Sequence, residues 1–166
     1  MITKFDSPYL ERDWTAITDF QYETDLHLTR TIQSVRTRAD TDADYVLARE
    51  YRVSMLVDDI RHRIVIPPGL ITDLASVPRF AQSFVGKVGP HLEASIVHDF
   101  GYIAWQSMPY KQADNEDRFF IDNVFLAAMK SAGVSFVTRN TIYQAVRMFG
   151  SSTYKTRDER RFVYTT

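Results

Sequence analysis

The sequence predicts an α+β fold, in which an N-terminal antiparallel β-sheet of three to five strands is followed by a bundle of three helices. In the first half, short runs of β-branched and aromatic residues are bounded by turn residues, and Pro67–Gly69 ends the sheet. In the second half, apolar residues recur at helical spacing instead. The 166 residues suit a single domain, predicted over residues 1–150, with a polar and locally basic tail over residues 151–166.

Composition and alternation predict the strands. Residues Trp14–Tyr22 are rich in Thr, Ile and aromatic side chains, which favour strands. Residues Tyr45–Val57 contain a half-buried pattern of period two, in which apolar and polar residues alternate as Tyr51, Arg52, Val53, Ser54 and Met55. A turn at Asp58–Arg61 then leads into Arg63–Ile66, the expected hairpin partner.

The first predicted helix begins at Pro90, because proline suits the first helical position. One stripe of this helix is expected to face the core and consists of Leu92, Ile96, Phe100 and Ile103. The adjoining line is polar and titratable, and consists of His91, Ser95, His98 and Tyr102. Such a row is typical of a cleft wall. Asp99 lies between the two faces, and Gly101 is expected to allow another backbone to approach.

A second helix is predicted from Asp114 to Ala132, with Gly133 ending it. It is apolar on nearly all sides, yet Asp122 projects from the side opposite its polar strip. A buried carboxylate without a partner costs several kcal/mol or takes up a proton. Asp122 therefore needs a partner, either Arg118 one turn away or a histidine of the preceding antiparallel helix.

A third helix is predicted from Arg139 to Phe149. Thr138 is its expected N-cap and Gly150 its end. Four of its side chains are expected to face inward: Ile142, Ala145, Val146 and Phe149.

Composition excludes several classes of function. The formal net charge of −1 leaves no global electrostatic footprint for nucleic acid. The absence of cysteine removes disulfides, thiolate zinc sites and cysteine nucleophiles. No apolar run approaches the roughly 20 residues that span a bilayer, and residues 1–10 lack the apolar region of a signal peptide. We therefore expect no nucleic-acid partner and no transmembrane segment.

His98, Asp99 and Asp122 form a candidate site. A histidine can deprotonate a water if a carboxylate behind it fixes its tautomer and stabilises the imidazolium, and Asp122 is the best candidate for that carboxylate. Tyr102 can hydrogen-bond the same carboxylate, while Asp99 can hold a divalent cation that polarises a carbonyl. Two alternatives stay open, namely a buried polar clamp that pins the helices together and a non-catalytic binding pocket.

Further candidates lie on both sides of this site. Asp73 and Arg79 fall in an apolar, irregular stretch that is either a packed crossover from sheet to helices or part of a site. Arg79 and Arg118 can receive an anionic substrate or pair with Asp73 or Asp122. His91 and Ser95 are candidates for substrate binding or for a structural role.

The sequence HDFGY at residues 98–102, followed by DNVF at residues 122–125, resembles the helix pair of secretory phospholipase A2, particularly its bacterial branch. The likeness covers residues 90–129. It implies that His98 is the general base, that Asp122 orients it, that Tyr102 bonds Asp122 and that Asp99 is a calcium ligand. The glycine-rich calcium loop of that family is not evident before residue 90, and no cysteine is present to form its disulfides.

A second resemblance covers residues 14–150. The motifs TDLASVPR, HDxxY and RxxxDxxFxxxM occur in the order found in a family of small proteins of tailed phages and prophages. This resemblance implies a viral protein, present in the host cytoplasm during infection or associated with the virion. Together the two resemblances predict a phage-encoded hydrolase of an ester in a lipid or cell-envelope substrate. The alternative is a virion structural or assembly protein of the tail or connector, which binds other phage structural proteins and uses the His–Asp pair only as a clamp.

Overall fold

The computed structural model describes residues 5–30, 45–72, 89–157 and 162. It confirms the α+β prediction, since strands occupy the first half of the chain and three α-helices the second. The strands are β1 (Ile17–Tyr22), β2 (Leu28–Thr29), β3 (Tyr45–Leu47), β4 (Tyr51–Val57), β5 (Ile60–Ile66) and β6 (Ile71–Thr72). The helices are α1 (Leu92–Ile103), α2 (Asn115–Ser131) and α3 (Phe136–Lys155), with a 3₁₀ helix at Ala104–Ser107 after α1.

The strands form two antiparallel sheets of three strands each, ordered β1-β4-β5 and β2-β3-β6. The run Tyr45–Val57, predicted as one strand, is divided between them as β3 and β4. The three residues between these strands are all exposed, which a continuous half-buried strand does not allow. The chain therefore changes sheet at this point.

The hairpin between β4 and β5 turns on two residues, Asp58 and Asp59, which both have positive φ angles of 49° and 64°. Such a turn matches the twist of the flanking strands. It is shorter than the predicted Asp58–Arg61 turn. The Asp58 carboxylate accepts hydrogen bonds from Thr15 and from the backbone N–H of Ala16, which lower its pKa to about 2. This carboxylate thereby ties the start of β1 to the hairpin.

Strand β4 lies in the middle of its sheet and is buried along most of its length. Ser54, predicted to face solvent, is among its buried residues, whereas Arg52 is exposed as expected. The hydrogen bond of Ser54 with Glu23 is the largest influence on the pKa of that carboxylate and lowers it. A central strand that is covered on both faces does not keep a clean alternation.

Helix α2 lies at the centre of the helical half and contacts β1, α1 and α3. Tyr22 donates from its hydroxyl to the carbonyl oxygen of Ala128 at 2.8 Å, and Ser131 donates to that of Phe20 at 2.9 Å. The ring of Trp14 packs edge-on against Phe120, with the ring centroids 5.5 Å apart. The apolar surface predicted for this helix therefore packs against the first sheet and both neighbouring helices.

The helix boundaries correct two predictions. Pro90 lies in the turn before α1, which begins at Leu92. The N-cap of α3 is Ser135, whose side chain accepts from the N–H of Thr138, so Thr138 itself lies inside the helix. Gly133 follows the end of α2, as predicted, with a φ of 81° that favours glycine.

Helix α3 also runs past its predicted end. It continues through Gly150 to Lys155, and Tyr154 is fully buried near its C-terminus. Trp105 donates its indole N–H to the carbonyl oxygen of Tyr154, which anchors this last turn. The predicted tail thus begins as helix, and Phe162 forms an isolated antiparallel bridge with Leu70. None of the described helices is long and apolar enough to cross a membrane.

Candidate functional site

The predicted pairing of His98 with Asp122 is present between α1 and α2. The Nε2 atom of His98 lies 2.9 Å from Oδ1 of Asp122. An ionised carboxylate only accepts hydrogen bonds, so Nε2 carries a proton, and in the neutral imidazole Nδ1 then keeps the lone pair. Both side chains are buried, with Asp122 at 0% and His98 at 3% exposure. The carboxylate therefore fixes the tautomer of the imidazole away from bulk water.

Tyr102 bonds the same carboxylate oxygen of Asp122. Its hydroxyl donates to Oδ1 of Asp122 at 2.8 Å. The His98 ring lies between Tyr102, at a centroid distance of 4.1 Å, and Phe125, against which it stacks at 4.5 Å. Because His98 meets Phe125 while Tyr102, one turn later, meets Asp122, the two helices run antiparallel here. The rings on both sides restrict the orientation of the imidazole.

Two arginines hold the other oxygen of Asp122. Arg147 of α3 donates to Oδ2 at 2.6 Å, and Arg118 donates to the same atom at the longer distance of 3.4 Å. Arg118 is buried and also donates to the carbonyl oxygen of Val146. Arg147 is partly exposed and lies over the ring of Phe119. The site therefore joins three helices, of which only α1 and α2 were expected from the sequence.

The electrostatics of the site favour an ionised Asp122. Burial alone would raise the pKa of this carboxyl group, but hydrogen bonds from His98, Arg147 and Tyr102 outweigh it and hold the pKa below the usual range. The pKa of Tyr102 is raised by burial and by the negative charge of Asp122. Tyr102 therefore stays protonated and acts as a donor at any physiological pH.

Asp99 points elsewhere and does not join the His98–Asp122 pair. Its Oδ2 atom accepts a hydrogen bond from the hydroxyl of Thr72, at the end of β6, at 2.6 Å. Within the described residues, no three His, Asp or Glu side chains come together as a metal site. Calcium also accepts backbone carbonyl oxygens and water, so Asp99 as a calcium ligand stays a prediction, and we assign no chemical step to a metal.

Two other members of the predicted cleft wall lie inside the protein. His91 and Ser95 are both buried, and Ser95 donates its hydroxyl to the carbonyl oxygen of His91 within the helix. Gly101 faces the side chain of Ile121 rather than another backbone. Asp73 and Arg79 lie outside the described residues.

Sequence reasoning missed Arg147 and Gly150. Arg147 follows the inward-facing Val146, so a signal existed, because a buried Asp122 requires cationic partners. The close approach of another side chain to Gly150 cannot be predicted from the sequence, in which this residue is only a glycine after a helical pattern. A Cβ atom at this position would lie 2.5 Å from the hydroxyl oxygen of Tyr102. Glycine is required there because the phenol passes close to the backbone on its way to Asp122.

We expect Gly150→Ala to destabilise the protein by about 1–3 kcal/mol, because the new methyl group overpacks against the Tyr102 hydroxyl. Urea denaturation of the single variant and of Gly150→Ala/Tyr102→Phe measures the effect. Removing the hydroxyl relieves the closest contact, so the double variant should be more stable than the sum of the two single changes predicts. Strict additivity would contradict this account, and the exposed change Ser152→Ala serves as a control.

The fold and this network define an α+β protein built round an antiparallel His–Asp helix pair. The chain belongs to DUF1353, a family described as proteins of unknown function, which matches residues 45–146. The matched span includes His98, Tyr102, Arg118 and Asp122. No curated protein and no solved structure matches the chain. The phage origin and the likeness to phospholipase A2 stay predictions.

Proposed function

We propose that this protein is a hydrolase that cleaves an ester with water activated by His98. The observation that carries the proposal is the bond from Nε2 of His98 to Asp122 at 2.9 Å, which leaves Nδ1 of the imidazole as a base. Tyr102 bonds the same carboxylate oxygen and reinforces the orientation. The likeness of these residues to phospholipase A2 supports a lipid ester as the substrate, and the phage-like motifs support a viral source.

The proposed reaction needs one proton carrier. Nδ1 of His98 takes a proton from water while the water oxygen bonds to the ester carbonyl carbon. The bond from that carbon to the alcohol oxygen then breaks, and the imidazolium returns the proton to the leaving oxygen. Asp122 stabilises the imidazolium between these two steps and remains ionised. Because His98 is only 3% exposed, a substrate reaches its imidazole only when the side chains packed over that ring move aside.

A second candidate function, that of a virion structural or assembly protein, is favoured by two other observations. Asp122 is already saturated by one histidine, one tyrosine and two arginines, which suits a clamp between three helices. Large apolar side chains of α3 are also exposed on the outer surface, which suits contact with another protein. In this function His98 serves stability and not chemistry.

Hydrolysis of phospholipid vesicles and of short-chain aryl esters, with Ca²⁺ and with a chelator, tests the proposal. We expect His98→Gln to lower the rate by about 100- to 10,000-fold, because the amide can still bond Asp122 but cannot accept a proton. The matched control is His62→Gln, which changes a histidine of β5 that bonds the carbonyl oxygen of Pro8. Equal rates for His98→Gln and the wild type would remove this mechanism. Folded wild-type protein without any hydrolysis would favour the assembly function.

A further inference from the structure

We propose that a surface cavity at the N-terminal end of α1 binds a small aliphatic amine in its ammonium form. The cavity has a volume of about 860 Å³ and lies between α1, the start of β4 and the segment that links β1 to β2. This volume falls within the range of small-molecule sites, about 300–1,000 Å³. None of the described residues that line the cavity belongs to the His98–Asp122 network, so the inference is independent of the proposed hydrolysis.

The lining of this cavity is predominantly acidic. Its charged residues are four carboxylates and one guanidinium, namely Glu23, Asp25, Glu50, Glu93 and Arg49. Glu23 and Glu50 each pair with an arginine of the first sheet. Asp25 and Glu93 form no ion pair with any residue that the structure describes. Two negative charges are therefore available to a cation that enters the cavity.

Tyr51, the first residue of β4, presents an unused hydroxyl group to the same cavity. Only 1% of this residue is exposed, and its hydroxyl has no hydrogen-bond partner in the part of the chain that the structure describes. Burial, followed by the negative charges of Glu93 and Asp25, raises the pKa of this hydroxyl, which therefore lies on the side of these two carboxylates. A buried polar atom without a partner is rare in folded proteins, and a donor on a bound ligand would satisfy it.

These acceptors match a primary ammonium group. Such a group has three N–H donors, and the cavity offers one phenol oxygen and two carboxylates. Leu26, Pro90 and the ring of Tyr22 supply apolar surface for the methylene chain of the amine. The C-terminal end of α2 reaches the cavity at Ala132 and adds partial negative charge.

Titration of the full chain with butylammonium chloride at neutral pH, followed by protein NMR, tests this inference. We expect a dissociation constant on the order of millimolar for so small a ligand. Glu93→Gln should weaken binding about tenfold, because it removes a charge-assisted hydrogen bond. Arg49→Gln should strengthen binding, because a like charge leaves the lining. Glu116→Gln, the same change as Glu93→Gln but at the other end of α2 from Ala132, should bind like the wild type.

Tyr51→Phe separates binding from folding. Because the hydroxyl has no partner among the described residues, its removal should leave the urea midpoint of unfolding unchanged or raise it. The same change should weaken the binding of butylammonium about tenfold, because a hydrogen bond to a charged group is lost. A variant that unfolds at a lower urea concentration would show that the protein itself uses the hydroxyl, and would overturn the inference.

Competing ligands test the chemistry of the head group. Tetramethylammonium carries the same charge without an N–H donor and should bind at least about tenfold more weakly than butylammonium. Displacement of butylammonium by a lower concentration of Ca²⁺ would assign the cavity to a metal ion instead. Tighter binding of Nα-acetyl-lysine methylamide would assign it to a lysine side chain of a peptide. Either result, or no binding of butylammonium up to about 50 mM, would overturn the inference.

Discussion

Replacing Asp122 by asparagine should lower the free energy of unfolding by about 3–5 kcal/mol, because the change leaves a buried arginine without its counter-ion. Arg118 is itself buried and cannot turn to solvent without disturbing α2 and α3. Arg147 loses its 2.6 Å contact, and the amide group turns a donor toward one of the present donors. Urea denaturation of the two proteins at neutral pH measures the difference.

The control for this change is Asp19→Asn. Asp19 also bonds an arginine at 2.6 Å, but both side chains of that pair are largely exposed. Ion pairs of that kind contribute little, so the control should unfold close to the wild type. Equal losses of unfolding free energy in the two variants would contradict the claim that burial makes the charge of Asp122 important for stability.

The same network predicts a pH dependence. The pKa of Asp122 is lower in the folded protein than its ordinary value of 3.8. Its contribution to stability is therefore complete above pH 4 and is lost as the pH falls through the lower, folded pKa. The difference in unfolding free energy between the wild type and Asp122→Asn should shrink over that acidic window. A constant difference down to pH 2 would contradict the assignment.

Gly101→Ala should destabilise the protein by about 1–3 kcal/mol, although alanine is the better helix former. A Cβ atom on Gly101 would lie 2.5–2.8 Å from three side-chain atoms of Ile121 in α2. Ile121 is fully buried and β-branched, so its side chain has no other place to go. The helices must separate, which also lengthens the bond from His98 to Asp122. Thermal and urea unfolding measure the loss.

Ile121→Ala supplies the matched partner for this change. The single change Ile121→Ala should lower the free energy of unfolding by about 2–5 kcal/mol, because it leaves a cavity between α1 and α2. In combination with Gly101→Ala, the added methyl group fills part of that cavity. The double variant should therefore lose less unfolding free energy than the sum of the two single losses. Additive losses would show that the two residues do not compete for the same space.

The stability of this network and its proposed chemistry depend on the same contacts. His98 can act as a base only while Asp122 holds Nε2, and Asp122 stays ionised only while its donors remain in place. A variant that breaks the network therefore loses both properties. His98→Gln separates them best, because it keeps a donor toward Asp122 and removes only the basic nitrogen.

The sequence by itself determined the α+β class, the order of its elements and the His98–Asp122 pair. These follow from local periodicity and from one strong physical constraint, namely that a carboxylate on an apolar helix face must find a partner. The nearest candidates in the chain were Arg118 and the histidines of the preceding helix. Both kinds of partner are present in the structure.

Only the tertiary structure decided that α3 contributes Arg147 to the site and that this helix continues to Lys155. Arg147 reaches Asp122 because α3 packs on α2. The sequence indicated that Asp122 needs a cationic partner, but the packing of the helices decides that Arg147 supplies it. Gly150, expected to end the helix, instead allows the Tyr102 hydroxyl to pass. Phe149, expected to face inward, is exposed. Local sequence sets which faces are apolar, whereas the packing of distant elements decides which of those faces is covered.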